Sequence, residues 1–183
     1  MKNFAFALFI CVLATLAALG VPPVSGQGVE RRLQPSVDLI DSTTTEACTA
    51  ADTDLTTLWT YTLPGGTINT DGRGFRVTVF GVFGNNTNTK NLFVVFGNDT
   101  IYARSNATTG GLAWSITATV LRVSNTSYVG QGVGVLAGTG FAFPPVTPAE
   151  TFSEDTAIIM RAQNGSANAN DVCFDGGFIE LLQ

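Results

Sequence analysis

The amino-acid sequence predicts an all-β protein: one antiparallel β-sandwich of jelly-roll type behind a cleaved N-terminal signal peptide. Beyond the leader, short segments alternate apolar and polar residues, and turns rich in Gly and Asn separate them. No segment after the leader shows the sustained periodicity of an amphipathic helix. About eight to ten strands of this kind fit a sandwich. No internal repeat and no second domain are visible in the sequence.

The N-terminus has the pattern of a secretory leader. Lys2 precedes an apolar stretch over residues 4–19, and Pro22 and Pro23 then break it before small residues that favour cleavage ahead of Gln27. We therefore predict a signal peptide over residues 1–26, a flexible polar arm over 27–36 and the β-sandwich domain over 37–183. A retained anchor is the alternative, but the apolar stretch is shorter than the roughly twenty residues of a membrane span. The mature protein is expected to be secreted, with no membrane span.

The predicted strands follow in chain order. The main segments cover residues 58–63, 75–83, 92–96, 100–103, 113–123, 128–136, 157–162 and 172–182. In the segment 75–83, Phe75, Val77 and Val79 share one face. In the segment 113–123, Trp114 alternates in phase with Ile116, which favours a core position for the indole ring.

The segment 128–136 carries glycines at alternate positions. Gly130, Gly132 and Gly134 leave a flat strip suited to close packing by another sheet or subunit. The alternate valines, Val129, Val133 and Val135, are expected to be more buried.

Two cysteines remain after the leader, which contains Cys11, is removed. In an oxidising compartment, Cys48 and Cys173 predict one disulfide, and two unpaired thiols are the alternative. The bridge would close a long loop and contribute about 4–5 kcal/mol in the chain-entropy model.

Glycosylation acceptors are also expected outside the cell. Asn-x-Ser/Thr sequons occur in predicted turns or loops at Asn85, Asn98, Asn106, Asn125 and Asn164. If the host glycosylates secreted proteins, we expect at least two of them to be occupied.

Composition argues against most catalytic and nucleic-acid-binding classes. The chain has no histidine, which removes Ser-His-Asp and Cys-His catalysis and the usual zinc sites. Loss of Lys2 with the leader changes the formal charge from −5 to −6, and no basic stripe for nucleic acid is visible. We predict no enzyme activity, no cofactor, no metal and no nucleic-acid partner.

Carboxylates are the remaining chemical option. Asp171 and Asp175 could form a glycosidase-type pair, and Glu150, Glu154 and Asp155 cluster in one loop. Calcium could be held by loop oxygens of Asp52 and Asp54 or of Asn168, Asn170 and Asp171, although no EF-hand spacing is present. Exposed acids in turns are the favoured interpretation.

Aromatic residues suggest two contact sites. Trp59 and Tyr61 share one face of a strand, where they could stack on sugars or equally belong to the core. Phe141, Phe143, Pro144 and Pro145 are predicted to form an exposed apolar loop that contacts a partner, with packing over a sheet end as the alternative.

Several motifs resemble a β-sandwich domain of tailed-phage structural proteins. They are LWTYTLP (58–64), DGRGFRV (71–77), GNNTNTKNL (84–92), WSITATV (114–120), QNGSANAND (163–171) and GFIEL (177–181). The resemblance spans roughly residues 40–183 and implies a jelly-roll-like, non-catalytic, oligomeric module of virions or tails. The leader and the cysteine pair depart from that family, because phage structural proteins assemble in the cytosol.

These observations together favour a secreted, non-catalytic structural or adhesive protein that forms a homo-oligomer and is virion-protein-like. The alternative is a monomeric extracellular carbohydrate-binding module. The external partner in either case would be a cell-surface glycan or protein.

Overall fold

The computed structural model describes residues 37–107 and 111–183, which form two antiparallel sheets with no helix in these ranges. The predicted signal peptide and polar arm lie outside the described residues. The strands are β1 (Val37–Thr43), β2 (Ala47–Cys48), β3 (Leu55–Leu63), β4 (Gly74–Phe83), β5 (Thr89–Phe96), β6 (Asp99–Ala107), β7 (Ala113–Ser124), β8 (Ser127–Leu136), β9 (Thr139–Val146), β10 (Thr156–Asn164) and β11 (Val172–Leu182). No helix of the described residues is long and apolar enough to cross a membrane.

The strand order is that of a jelly roll. The large sheet has the order β1-β11-β4-β7-β8-β9, with β2 also on β11, and the small sheet has the order β3-β10-β5-β6. Four strand pairings are nested along the chain, each enclosing the one before it. They are β5 with β6, β4 with β7, β3 with β10, and β11 with both β1 and β2. An antiparallel ribbon paired in this way and rolled into two sheets is a jelly roll. The hairpin of β8 and β9 extends the large sheet, and the predicted fold class is confirmed.

The core lies between the two sheets and follows the alternation of the strands. Phe75, Val77 and Val79 face inward from β4 and are at most 1% exposed, as predicted. Trp114 is 2% exposed and belongs to the core, also as predicted. Phe96 of the small sheet lies 5.0 Å from Phe75 between ring centroids, so aromatic contacts join the two sheets.

On β8 the predicted faces are reversed. The glycines face inward against β6, and a Cβ atom added to Gly134 would lie 2.5 Å from the hydroxyl of Tyr102. Val133 and Val135 instead point outward and are 47% and 48% exposed. The close approach of another sheet is confirmed, but the burial predicted for the valines, including Val129, is wrong. The Tyr102 ring occupies the space that inward side chains of β8 would need.

The segment predicted to be an exposed loop is the edge strand β9. Phe141 and Phe143 are half-buried and pair in register with Gly134 and Gly132. Their rings therefore fill space beside the glycines on the inner side, which is the packing alternative rather than an exposed protrusion. Pro144 and Pro145, also predicted to contact a partner, are exposed near the end of this strand.

Cys48 and Cys173 form a disulfide, as predicted, with an S–S distance of 2.10 Å. The two residues are also register partners in the pairing of β2 with β11. The bridge spans 125 residues and fixes the N-terminal approach of the domain to its last strand.

Candidate interaction surface

The outer face of the large sheet carries an uncharged area in which apolar side chains lie beside three hydroxyl-bearing residues. Successive side chains of a strand point to opposite faces, so the residues between the inward positions of β4, β7 and β8 point outward to solvent. We define the outer patch as Thr78, Phe80, Val82, Leu112, Ala113, Ser115, Thr117, Val133, Val135, Gly140 and Ala142. Phe80 and Val82 are 38% and 39% exposed, and the two valines of β8 are more exposed still. None of these residues is charged.

Strand register aligns the patch in two rows. Phe80 pairs with Ser115, which pairs with Val135, and that valine pairs with Gly140. The second row runs in the same way from Thr78 through Thr117 and Val133 to Ala142.

Two hydroxyls of the second row are paired with each other. The hydroxyl oxygens of Thr78 and Thr117 lie 3.2 Å apart and form a hydrogen bond. The patch therefore has few free polar groups and the flat shape of a sheet face.

Two open depressions lie within this surface, each with a volume of ≈ 430 Å³. The first is bordered by Thr117, Gly134 and Phe141 among others. The second lies between Phe80 and Trp114 and has Asp175 at its border. Both have mainly apolar linings, with the hydroxyl groups of Ser115 and Thr117 in the first.

Charged groups are found beside the patch rather than in it. Arg76, one row away, binds Glu180 with 2.8 Å between Nε and Oε2. Beyond that row the outer face becomes apolar again at Leu121 and Val129, which are 40% and 36% exposed.

Two outer strand edges carry features that oppose pairing with another chain. Pro144 and Pro145 lie in β9 and lack the amide hydrogen that a further strand would need. On the opposite edge, β1 has a bulge between Leu39 and Asp41, and Asp38 is exposed beside it. Bulges and charges on edge strands oppose edge-to-edge association.

The sequon asparagines lie outside the patch. Asn85, Asn98 and Asn125 are exposed in the connections after β4, β5 and β7, and Asn106 is half-buried near the end of β6. These positions leave the outer face of the large sheet free of predicted glycans.

Asn164 departs from the other sequon residues because it is only 2% exposed. Its Nδ2 donates to the carbonyl oxygens of Ala50 and Asn168, both at 2.8 Å, and to that of Asp52 at 3.2 Å. A glycan on this nitrogen is incompatible with the packing, so the predicted acceptor at Asn164 is wrong for the folded protein.

A buried charge pair stabilises the connection between β4 and β5. Lys90 and Asp171 are both 0% exposed. The Lys90 Nζ donates to Asn86 Oδ1 and to the Asn88 carbonyl, both at 2.8 Å, and to the Asn86 carbonyl at 3.2 Å. The Asp171 carboxylate accepts hydrogen bonds from the Nδ2 atoms of Asn86 and Asn88.

The surroundings of Lys90 explain how its charge is tolerated. Burial lowers the pKa of Lys90, and the nearby Asp171 opposes that effect. Since each polar group is used by the loop itself, the arrangement is a structural support and not a free reactive site. The buried pair of Lys90 and Asp171 was not predicted from the sequence. The signal was the position of Lys90, which alternates in phase with the inward residues Leu92 and Val94.

The carboxylates considered for catalysis do not share a site. Asp171 faces the 84–88 loop, whereas Asp175 borders the outer depression roughly 13 Å further along the strand by backbone spacing. Elsewhere, Asp155 accepts a hydrogen bond from the amide of Gly65 at 2.9 Å, and Glu154 is exposed. Glu150 lies beside Gly97.

Groups considered for metal binding have other roles in the structure. Asp52 Oδ1 accepts a hydrogen bond from the amide of Asp54 at 3.1 Å, which is a local turn contact. Glu46 has an oxygen within 4.8 Å of both cysteine sulfurs, but Cys48 and Cys173 are bonded to each other and offer no thiolate.

Trp59 and Tyr61 are half-buried and pack against the core. The ring of Trp59 is stacked on Phe174 at a centroid distance of 5.9 Å. The outer side of β3 presents Thr60 and Thr62 instead. The structure therefore places the aromatic pair on the inner side of the small sheet.

Comparison with known proteins gives little further information. No protein-family model matches the chain, and no curated protein matches it. A solved structure of a protein of unknown function from Shewanella oneidensis MR-1 is similar over 80% of this chain and 78% of that one, with 9% identity and a TM-score of 0.33.

Proposed function

We propose that the chain is a secreted, non-catalytic structural or adhesive protein, virion-protein-like in its jelly roll, that self-assembles. The observation that carries this proposal is the uncharged apolar outer patch on the large sheet. Contiguous exposed apolar patches, when bordered by polar residues, mark contact surfaces on soluble proteins.

The remaining chemistry of the domain supports a non-catalytic role. The buried ionisable pair, Lys90 and Asp171, is enclosed by asparagine side chains and loop carbonyls, which leaves no open position for a substrate atom. The two outer depressions are lined mainly by apolar groups. General acid–base catalysis needs a titratable group within hydrogen-bond reach of a substrate.

The disulfide supports secretion. Bridges such as Cys48–Cys173 form and persist in oxidising compartments and are rare in the cytosol. The predicted leader and the exposed sequon residues fit the same route.

The carbohydrate-binding alternative has less support from the geometry. Sugar stacking needs an exposed aromatic face, and Trp59 is stacked on Phe174. A glycan-binding screen of the wild-type protein and Trp59→Ala would favour this alternative if binding were found and then lost.

Sedimentation velocity tests the proposed function. Full-length protein is expressed in secretory cells, recovered from the medium and deglycosylated. We expect a sedimenting mass of at least twice the monomer mass at about 10 µM protein. A monomer at this and higher concentrations would contradict self-assembly.

A further inference from the structure

We propose that Lys90 and Asn86 form an isopeptide bond within the chain, with Asp171 as the acid–base group. The bond joins Lys90 Nζ to Asn86 Cγ and releases ammonia. The cluster around Lys90 is closed to outside molecules, but a reaction between its own side chains needs no external substrate. The product would be a covalent ring across the connection between β4 and β5.

The amine of Lys90 lies against the side-chain amide that it would attack. The distance from Nζ to Asn86 Oδ1 is 2.8 Å. Since a carbonyl bond is about 1.23 Å long, Nζ lies within about 4 Å of Cγ. Reacting atoms about 3–3.5 Å apart are in a near-attack geometry, so a short movement of the flexible lysine side chain is sufficient.

The oxygen of the same amide has a second donor. Asn86 Oδ1 accepts a hydrogen bond from the backbone N–H of Asn88 at 3.0 Å. Attack on Cγ places negative charge on this oxygen, and a backbone N–H that is already in position stabilises that charge. The loop therefore supplies the donor of an oxyanion hole.

Asp171 contacts the nitrogen that must leave. Its Oδ1 accepts a hydrogen bond from Asn86 Nδ2, and its Oδ2 accepts one from Asn88 Nδ2 at 3.1 Å. The carboxylate can take a proton from Nζ as the Nζ–Cγ bond forms and give a proton to Nδ2 as the Cγ–Nδ2 bond breaks. In total, the ammonium group and the primary amide become a secondary amide and an ammonium ion, and Asp171 ends as a carboxylate.

The surroundings favour the neutral amine that the attack requires. Lys90 and Asp171 are both 0% exposed, and burial lowers the pKa of Lys90. Three carbonyl contacts still hold most of the amine in its protonated form. Bond formation is therefore slow compared with folding, and the ion pair described above is the state that forms first.

Peptide mass spectrometry tests the bond. Full-length protein is recovered from the medium of secretory cells, deglycosylated, and sampled from harvest through several weeks of storage. Trypsin cleaves after lysine and arginine, so unreacted protein gives separate peptides 77–90 and 91–104. Reacted protein gives one peptide, 77–104, because an acylated Lys90 is not cleaved, and loss of ammonia lowers its mass by about 17 Da.

Three variants test the assigned roles. Lys90→Arg removes the amine and should give no linked peptide. Asp171→Asn keeps the shape of the side chain, and the rate of linkage should fall about 100-fold. Asn88→Ser is the matched control, because Lys90 Nζ contacts the backbone carbonyl of Asn88 and not its side chain. This control should still form the link.

Linked peptide in the wild type and in Asn88→Ser would support the proposal, also where Asp171→Asn does not fold by circular dichroism. Complete cleavage after Lys90 at every time point in the wild type would overturn it. A succinimide at Asn86 also loses ammonia but leaves Lys90 open to trypsin, so that result overturns the proposal as well. An unchanged rate in folded Asp171→Asn would overturn the role of Asp171.

Discussion

Tyr102 of β6 lies directly over Gly132 of β8: a Cβ atom added to the glycine would lie 2.7 Å from the Cβ and Cδ2 atoms of the tyrosine. The two sheets approach each other closely at this point only because position 132 has no side chain. This contact also determines that the alternate valines of β8 face outward.

Gly132→Ala should destabilise the protein by about 1–3 kcal/mol, because the new methyl group requires Tyr102 and the backbone of β6 to shift. Gly140→Ala is the control, since a Cβ there has no heavy atom within 4 Å. Urea unfolding of the two variants measures the difference. Equal stabilities would show that β6 does not approach β8 this closely.

Lys90→Met and Asp171→Asn should each cost about 3–5 kcal/mol, because each leaves one buried charge without its partner. The double variant should lose less than the sum of the single losses. Arg76→Met removes a more exposed ion pair and should change the free energy of unfolding by at most about 1 kcal/mol. Additive losses for Lys90 and Asp171 would mean that the two charges do not interact through Asn86 and Asn88.

Stability should fall as the pH rises above about 10, which is the ordinary pKa of tyrosine. Burial raises the pKa of Tyr128, with smaller contributions from Asp99 and Glu150, and burial also raises that of Tyr102. In this range the unfolded chain loses tyrosine protons that the folded chain keeps, so unfolding is favoured. Lys90 has the opposite effect on stability. Because its pKa is lowered in the folded state, its contribution to stability increases as the pH rises towards the ordinary pKa of lysine.

Tyr128→Phe should therefore reduce the loss of stability between about pH 9 and pH 11.5. The measurement is the free energy of urea unfolding at each pH. An unchanged slope would show that Tyr128 ionises as readily in the folded state as in the unfolded one.

Glycopeptide mass spectrometry of protein from secretory cells should find glycans on at least two of Asn85, Asn98 and Asn125 and none on Asn164. Asn125→Gln should remove one glycan without a change in stability, since Asn125 is exposed. Asn164→Gln should leave the glycans unchanged and lower the melting temperature, because it disturbs three hydrogen bonds. A glycan on Asn164 would contradict the described packing.

Much of the fold could be predicted from the alternation of side chains. The inward faces of β4 and β7 follow from Phe75, Val77 and Trp114, because apolar residues at every second position have one core to face. The Cys48–Cys173 bridge also followed from the presence of a single pair after the leader.

The predictions from sequence were wrong where contacts with a neighbouring strand determine which way a side chain points. Hydrophobicity alone places the β8 valines inside, but the ring of Tyr102 requires glycine there. The adjacent prolines suggested a loop, yet Phe141 and Phe143 are held in β9 by the room beside Gly134 and Gly132. As a result the rings of Phe141 and Phe143 pack on the inner side of the hairpin, although Phe141 also borders one depression of the outer patch.

The most direct test of the central claim is the solution mass of the wild-type protein and of Val135→Lys, measured side by side by light scattering. We predict an assembly of at least two copies for the wild type and a monomer for the variant. Equal masses for the two proteins would contradict association through the outer face of the large sheet.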